Sequence, residues 1–550
     1  MNKWTFVFLL GLFTLFGCSK QAKVESINRF SDPKLERIYE LQDRQETRKL
    51  IPLLKSKKTH HREAAVLAFA SIQDSFAVRF LRENLLTDSK PEVRKAAAYA
   101  IGQMRDSANV GTLFMALENE ISSDSRKAIL EALGKSANQD VIDYFNSFIT
   151  TVTQLREGHA KGMFRSVYKK KYGTRYAEQC IRYFDAVSSD ETKLFAAWTL
   201  ARLPHDYRSA YTDTIKSIHD RLTDKELKRV VGTIVDVDYF EPYVELPWAD
   251  VIANYSSFAD KPYALVNELK TTALDSKQAL DSLETWSFDH RYQIVRTTAA
   301  ELFLEQQQIL GPMEAHPDLA AFVETCLTSR DMALQSLACY KIIQNPSTYW
   351  RPVLQTYQDS LSIPRQMETF IDMGKALAAI DSVKYKKPNV KYNHPIDWAY
   401  VKQIPSDQQV EIVTTQGSIF IDLNVDDAPG SVSNFLKKVD EGYYTDKFFH
   451  RVVPNFVIQA GCYRGDGWGS PDWTQRSEFS NYLSYSTGAV GLASSGKDTE
   501  GVQIFITHNP TPFLDGRYSI FGYVAKGMDI VNDIGVGDKI VEVKKVKQQP

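Results

Sequence analysis

The residues with the clearest catalytic potential lie in four short motifs near the C-terminus. They are residues 449–461 (FHRVVPNFVIQAG), 491–495 (GLASS), 503–507 (QIFIT) and 513–522 (FLDGRYSIFG). Arg451 stands in the first motif, and its permanently charged guanidinium carries a fixed fork of hydrogen-bond donors. Such a group can stabilise charge that develops on a substrate atom without a covalent step. The sequence contains no P-loop, G-x-S-x-G, H-E-x-x-H or dinucleotide fingerprint that would indicate another chemistry.

The motifs are embedded in a region whose pattern is typical of short β-strands. From residue 409 onward apolar and polar residues alternate: Val410 and Ile412 precede a turn at Gly417, and Ile419 and Ile421 follow it. This is a hairpin pattern, with glycine in the turn. Further short apolar runs are separated by Gly-rich loops. Residues 409–550 are therefore predicted to form a closed β-barrel with a few helices.

Taken in this order, the four motifs resemble those of cyclophilin-type peptidyl-prolyl cis/trans isomerases. The resemblance covers about residues 409–546 and implies an enzyme that rotates X-Pro peptide bonds. It places Arg451 at the position of the family's catalytic arginine. It also implies a substrate-binding set around Arg451: His450, Phe456, Val457, Gln459, Ala493, Ser494, Gln503, Phe505, Phe513, Leu514 and Tyr518.

The resemblance implies a role for most members of this set. An apolar slot for the proline ring would be formed by Phe456, Val457, Phe505 and Leu514, with Phe513 at the rim. The other members would surround the slot. Gln503 would hold the substrate backbone or orient Arg451, Gln459 would support these side chains, and His450 would be a wall or a hydrogen-bond partner. Ala493 and Ser494 would offer backbone groups to the residue before proline.

The chemistry that these residues would serve needs no cofactor and no metal. Rotation about an X-Pro bond crosses a barrier of about 18–20 kcal/mol because amide resonance must be broken. An enzyme must therefore prefer the twisted amide, whose prolyl nitrogen gains a lone pair, over either planar isomer. Arg451 is the candidate donor to that nitrogen and to the neighbouring carbonyl.

Four positions depart from the pattern usual in eukaryotic members of the family. Val457 stands where methionine is usual, Ser494 where asparagine is usual, Phe513 replaces tryptophan and Tyr518 replaces histidine. Phe513 and Tyr518 resemble bacterial members, so activity is expected to survive. The loss of the indole donor puts tight cyclosporin binding in doubt.

The region before the barrel shows an internal repeat. Residues 62–69, 94–101 and 126–133 align at a spacing of about 32 residues, and each begins with arginine and reads as an amphipathic, alanine-rich helix. The pattern resembles HEAT-like repeats, which stack into a solenoid whose concave surface binds other chains. Residues 30–382 are predicted to be this all-α solenoid, with repeats that degenerate after about residue 204. The same repeat position is arginine in all three copies: Arg62, Arg94 and Arg126. This recurrence indicates a structural ladder, that is, one stabilising side chain per repeat, more than a binding surface.

The first residues resemble a targeting signal. Thr5 to Phe16 is an apolar run too short to span a bilayer and of the length of a signal-peptide core. Residues 15–18 (LFGC) resemble a bacterial lipobox, so residues 1–18 are predicted to be a lipoprotein signal with Cys18 as the lipidated residue. An ordinary signal peptide with a chance cysteine is the alternative. Ser19 after Cys18 favours an outer-membrane lipoprotein that faces the periplasm.

The remaining features bound the other interpretations. Residues 383–408 contain three prolines and no helical periodicity, which predicts an extended connector. The formal net charge of −2 gives no reason to expect nucleic acid as a partner. The other four cysteines are expected to be small buried apolar residues, although Cys326 and Cys339 could pair.

These parts together predict a membrane-anchored folding factor of the bacterial cell envelope. The solenoid would hold proline-containing client proteins while the barrel isomerises their X-Pro bonds, a step slow enough to limit folding. The competing hypothesis is a scaffold whose barrel binds proline-containing peptides without turnover. The presence of Arg451, Phe456, Gln503 and Phe505 together argues for the enzyme.

Overall fold

The computed structural model describes residues 28–148, 152–235, 247–258, 260–274, 276–307, 311–386, 388 and 392–546. The predicted signal peptide and Cys18 lie outside these residues. Among the described helices, none is long and apolar enough to cross a membrane.

The first part of the chain is helical, as predicted. Its helices are α1 (Pro33–Asp43), α2 (Thr47–Leu50), α3 (Thr59–Ile72), α4 (Val78–Thr87), α5 (Pro91–Gln103), α6 (Val110–Asn119), α7 (Ser123–Lys135), α8 (Gln139–Ser147), α9 (Thr153–Tyr168), α10 (Tyr176–Arg182), α11 (Asp190–Arg202), α12 (His205–Arg208), α13 (Thr212–Arg221), α14 (Lys225–Gly232), α15 (Trp248–Asn254), α16 (Pro262–Lys270), α17 (Lys277–Asp289), α18 (Gln293–Gln306), α19 (Pro317–Thr328), α20 (Met332–Gln344), α21 (Arg351–Asp359) and α22 (Met367–Ile380). Several begin at the caps that their sequences provide: Ser122, Ser276 and Asp331 each accept a backbone N–H of the first turn.

Alternate helices stack side by side along the solenoid, in the order α1, α3, α5, α7, α9 and α11. Their alanines let the neighbours approach closely, since Ala65, Ala97 and Ala132 are almost wholly buried. At the crossing of α7 and α9 the backbones touch, and a Cβ at Gly134 would collide with the carbonyl of Gly162. Only glycine permits this approach, which explains a residue that otherwise disfavours a helix.

Two of the three repeated arginines, Arg62 and Arg94, form structural ion pairs. Arg62 donates to Asp88 at 2.8 and 3.0 Å, and Arg94 donates to Glu120 at 2.7 and 2.6 Å. In both cases the acid lies 26 residues after the arginine, so each pair ties one repeat to the turn that opens the next. This finding supports the ladder interpretation for Arg62 and Arg94.

The C-terminal part is a closed antiparallel barrel with the strand order β1-β2-β7-β5-β6-β4-β3-β8. Its elements are β1 (Gln409–Thr414), β2 (Ser418–Leu423), α24 (Pro429–Asp440), β3 (Lys447–Val453), β4 (Val457–Ala460), β5 (Ala489–Leu492), β6 (Ile504–Thr507), β7 (Ile520–Lys526), α25 (Met528–Asp533) and β8 (Lys539–Val546), preceded by a short α23 (Trp398–Val401). The predicted hairpin pairs Ile412 with Ile419 and Val410 with Ile421, and all four are fully buried. The alternation in the sequence therefore reports the inner face of the barrel.

The segment predicted as a connector is packed against the first helix. Asn28 donates from Nδ2 to the carbonyls of Val401 and Ile404 at 2.6 and 2.8 Å. The backbone N–H of Ile396 donates to Asp43 at 2.8 Å. One continuous apolar core consequently runs from the first half of the solenoid into the barrel, and the two parts are held together as one body.

The four described cysteines, Cys180, Cys326, Cys339 and Cys462, are buried free thiols. Cys326 and Cys339 are therefore not a disulfide pair. Burial raises the pKa of all four thiols, which agrees with the prediction that they act as small apolar side chains.

Candidate active site

A chain of two glutamines on the barrel leads to Arg451. It lies in β3 directly opposite Gln459 of β4, and its Nη1 donates to Gln459 Oε1 at 3.5 Å. Gln459 Nε2 donates to Gln503 Oε1 at 2.9 Å, and Gln503 Nε2 donates to the carbonyls of Gly467 and Gly469 at 3.0 and 3.3 Å. These bonds set the orientation of each amide, so the oxygen of Gln459 points at the guanidinium.

The guanidinium also lies above an apolar surface. Its carbon is 5.9 Å from the ring centroid of Phe456, and its side chain is exposed to a cavity. Burial lowers the pKa of Arg451, an effect that Tyr518 partly opposes. An arginine keeps its proton under these conditions, so a fixed cation stands next to a place where an apolar ring can bind.

The apolar slot predicted beside Arg451 is present as a small core of its own. Val457, Phe505 and Leu514 are buried in this core, against which Phe456 and Tyr518 pack. Phe505 meets Tyr518 edge to face at 5.9 Å. Arg451, His450 and the slot residues Phe456, Val457, Phe505, Leu514 and Tyr518 all line the same cavity.

Phe513 occupies a different place from the rest of the set. It lies behind Phe456, with the ring centroids 5.5 Å apart, and its other side is covered by the solenoid. Trp198 of α11 meets it edge to face at 5.3 Å, and the guanidinium of Arg202 lies 4.9 Å from its ring. Phe513 is thus a support of the slot that the solenoid holds in place, where a rim position was expected.

The polar members of the predicted set have distinct surroundings. The N–H of Ala493 already donates to the carbonyl of Gln503 at 2.9 Å, so this N–H is not free for a substrate. The hydroxyl of Ser494 is buried at the cavity without a hydrogen-bond partner in the described part of the chain. Burial lowers the pKa of His450 to about 4, which makes this side chain a neutral wall.

The second wall of the cavity belongs to the solenoid. The cavity has a volume of about 1070 Å³, and we call it the chamber. Arg451 and the slot form one side. The opposite side is formed by α16, α18, α20 and α22, with these residues facing the barrel: Val266, Asn267, Lys270, Thr271, Ile294, Thr297, Thr298, Glu301, Leu337, Tyr340 and Glu368. A substrate that reaches Arg451 therefore lies between two parts of the chain that are far apart in sequence.

Residues 464–476 form the docking loop, which ties the barrel to the second half of the solenoid. Arg464 pairs with Asp331 at the start of α20 at 3.1 Å, and with Asp466 inside the loop at 2.7 Å. Tyr263 of α16 donates to the carbonyl of Gly465 at 2.6 Å. At Gly469, where φ is +84°, an added Cβ would lie 2.8 Å from Met332 Sδ. The sequence did not indicate a role for the glycines of this loop. In the structure, Gly469 lets the loop pack closely against α20.

A second contact ties the barrel to the first half of the solenoid. Arg165 of α9 donates to the carbonyl of Pro512 at 2.6 Å and pairs with Asp515 at 3.1 Å. Gln103 of α5 donates to the carbonyl of Gly516 at 3.0 Å. The segment that carries Leu514 of the slot is therefore held by solenoid side chains.

Sequence reasoning brought together the barrel side of the site but missed the solenoid side. Gln503 lines a smaller cavity beside the chamber, and Phe513 lies behind the slot; the other predicted barrel residues line the chamber. No pattern in the sequence marked Trp198, Glu301 or Glu368 as site residues, because each has the local sequence of an ordinary helix and reaches the site only through long-range packing.

One group of possible metal ligands lies elsewhere among the described residues. Asp32, His60 and His61 place one ligand atom each within 4.8 Å of one another. Asp32 caps α1 by accepting the N–H groups of Lys34 and Leu35, and it accepts from His61 at 2.8 Å. These bonds explain why the three residues lie together: Asp32 is the N-cap of α1, and His61 is its hydrogen-bond partner.

Comparison with known proteins finds relatives of the barrel and of the first helical repeats. Residues 409–549 match the family model described as cyclophilin type peptidyl-prolyl cis-trans isomerase/CLD, and residues 35–102 and 78–157 match HEAT repeats. The chain is 43% identical to peptidyl-prolyl cis-trans isomerase B of Bacillus subtilis over 118 residues, which is 21% of this chain and 82% of that protein. It is 36% identical to a Synechococcus elongatus peptidyl-prolyl cis-trans isomerase over 140 residues, 25% of this chain and 96% of that protein. A crystal structure of a Cryptosporidium parvum cyclophilin type isomerase is 28% identical, covers 26% of this chain and 99% of that one, and has a TM-score of 0.25.

Proposed function

This chain belongs to the cyclophilin family of peptidyl-prolyl cis-trans isomerases through its C-terminal barrel, and we propose that Arg451 is the residue that catalyses the rotation. The observation that carries the proposal is the position of the guanidinium, which is held by Gln459 and opens into a cavity beside the apolar slot. The helical region that precedes the barrel matches HEAT repeats in its first part, and its later helices form the other wall of that cavity.

In the proposed mechanism the proline ring enters the slot formed by Phe456, Val457, Phe505 and Leu514. Burial of the ring anchors one side of the X-Pro bond, so the preceding carbonyl is free to turn. As the amide twists, its nitrogen becomes pyramidal and gains a lone pair. The guanidinium of Arg451 donates to that nitrogen and to the adjacent carbonyl, and the donors are already in place when the charge develops.

The glutamine chain makes this donor precise. Gln459 accepts from Arg451, while Gln503 fixes Gln459 and is fixed in turn by the docking loop. A guanidinium on a flexible side chain would lose conformational freedom when it binds the twisted amide. Because the contact with Gln459 favours one orientation of the guanidinium, less of the binding energy is spent on ordering it.

We also propose that the clients are exported proteins in an unfolded or extended state. A chamber of about 1070 Å³ between solenoid and barrel suits an extended segment and excludes a folded domain. The solenoid would act as a client-binding scaffold that presents such segments to Arg451. The apolar run before Cys18 supports a lipid anchor, with the protein at the outer membrane and facing the periplasm.

The experiment is a measurement of kcat/KM for a blocked X-Pro tetrapeptide with the chain from Ser19 onward. Arg451→Ala is expected to lower kcat/KM by about a hundred-fold or more, the usual effect of removing a preorganised donor. Arg37→Ala is the matched control, since Arg37 lies on α1 with a side chain that is 46% exposed. A wild-type protein that binds the peptide without turning it over would refute the enzyme and favour the scaffold.

A further inference from the structure

We propose that Glu368, a residue of the solenoid, makes this isomerase prefer X-Pro segments with a lysine or arginine at one of the two positions before the proline. The inference rests on the proposed function, because it concerns the substrate of the same site. It assigns a specificity-determining role to a side chain that lies more than 80 residues before Arg451 and outside the barrel.

Glu368 stands where two cavities meet. It lines the chamber, which contains Arg451, and it also lines a smaller cavity of about 90 Å³. The residues common to both cavities show where they join: Glu368, Gln459, Gly467, Ala493 and Ser494. A peptide whose proline fills the slot continues past Ala493 and Ser494. Since an extended chain advances about 3.3–3.6 Å per residue, the side chains that precede the proline arrive beside this junction.

The carboxylate of Glu368 is unpaired within the described part of the chain. Lys375, the cation whose charge acts on Glu368, is already paired with Asp372 at 2.8 Å. The side chain of Glu368 is only half-buried, so its oxygens can be reached from the cavity. An acid in this position offers a partner to a cation that the substrate brings.

The placement of Glu368 is firm because α22 is anchored to the barrel immediately before it. Arg365 pairs with Asp472 at 2.8 Å, and its carbonyl accepts the N–H of Ser470 at 3.1 Å. Both partners belong to the docking loop. The acid is therefore held over the junction by the same loop that supports Gln503 and, through it, Arg451.

The proposal also predicts that the substrate preference depends on pH, because Glu368 must be ionised to attract a cation. Burial is the main cause that raises the pKa of Glu368 to about 7; Asp372 and Asp466 add to it and Lys375 opposes it. A cationic substrate side chain would favour the ionised form. The preference for lysine is therefore expected to grow between pH 6 and pH 8. The other titratable or charged groups that line the chamber are Tyr340, Lys270, Glu301, His450, Arg451 and Tyr518. His450 stays neutral in that range because burial lowers its pKa to about 4.

The test compares kcat/KM for N-terminally blocked tetrapeptides that differ only by lysine, alanine or glutamate at the first or the second position before proline. In the chain from Ser19 onward we expect lysine to exceed glutamate by about five-fold or more at one of the two positions, the ratio given by an ion pair of about 1 kcal/mol. Glu368→Gln is expected to bring this ratio close to one, and Glu368→Lys to reverse it. The isosteric Gln variant changes charge without changing volume, so the ratio reports the charge and not the fold.

Glu301→Gln is the matched control, because Glu301 lines the chamber on α18 but not the smaller cavity. It is expected to keep the lysine preference. An equal loss in Glu301→Gln would assign the preference to the overall potential of the solenoid wall and overturn the role of Glu368. Equal rates on all peptides in the wild type would overturn this inference while leaving the isomerase intact. Inactivity on every peptide would instead refute the proposed function.

Discussion

Arg165 is expected to hold the solenoid against the barrel, and Arg165→Met tests this directly. The guanidinium is 7% exposed and has three acceptors: Glu131 at 2.9 Å, the carbonyl of Pro512 at 2.6 Å and Asp515 at 3.1 Å. Two of these acceptors belong to the barrel segment that carries Leu514. Methionine has a similar length and fits a helix, so the substitution removes the donors with little change in volume.

The cost follows from what each acceptor keeps. Glu131 retains Lys135 at 2.9 Å and Lys161 at 3.3 Å, so its charge stays compensated. Asp515 keeps the N–H of Tyr485 at 2.8 Å but loses its cation. Breaking a buried pair of this kind costs about 3–5 kcal/mol, and the extra apolar contact of methionine offsets part of it. We therefore expect a loss of about 3 kcal/mol in the free energy of unfolding.

The assay is thermal unfolding followed by intrinsic fluorescence, together with isomerase activity. With an unfolding entropy of about 2 cal/mol/K per residue, a chain of 550 residues converts this loss into a fall in Tm of about 3 °C. Activity should also fall at temperatures below Tm, because the segment with Leu514 loses its anchor.

The control is Arg182→Met, which breaks an exposed pair with Glu178 on the surface of α10, where the arginine is 52% exposed. Such a pair contributes about 0.3–0.5 kcal/mol. An Arg165→Met protein as stable as the Arg182→Met protein would refute the reasoning. It would mean that apolar packing alone, and not this ion pair, holds the barrel to the solenoid.

Two further predictions concern pH and the membrane. Burial lowers the pKa of His159 to about 3, below its value of about 6.5 in the unfolded chain; its stabilising effect is therefore full above pH 6.5 and is lost as pH falls, by about 2 kcal/mol at pH 5. Urea unfolding should therefore give the wild type a free energy of unfolding that is lower at pH 5.0 than at pH 7.5. In His159→Gln this difference between the two pH values should be smaller by about 2 kcal/mol. A difference as large in His159→Gln as in the wild type would contradict the prediction. Cys18→Ala should move the protein, expressed in a bacterium with its natural N-terminus, from the detergent phase to the aqueous phase in a phase-partition experiment, whereas retention in the detergent phase would exclude a lipid on Cys18.

Local sequence patterns were enough to predict the helices, the strands and the barrel side of the site. Period-two alternation around Val410 and Ile421 and alanine-rich repeats at a spacing of about 32 residues are local patterns, and both survive in the structure as the inner face of the barrel and the buried faces of stacked helices. The four motifs likewise predicted the residues around Arg451, since they lie on neighbouring strands whose register follows from the barrel.

Long-range packing determines which solenoid residues reach the slot and the chamber. Arg165 and Trp198 lie more than 300 residues before the barrel segment that they contact, and Glu368 lies more than 80 residues before Arg451. The local sequence of each is ordinary for a helix. The role of the docking loop could not be predicted from the sequence either. Its glycines are needed because the loop backbone lies close to Met332 and Tyr263, and no periodic pattern indicates such a contact. Periodicity reports which face of an element is buried; it does not report which distant surface buries that face, and here that surface completes the site.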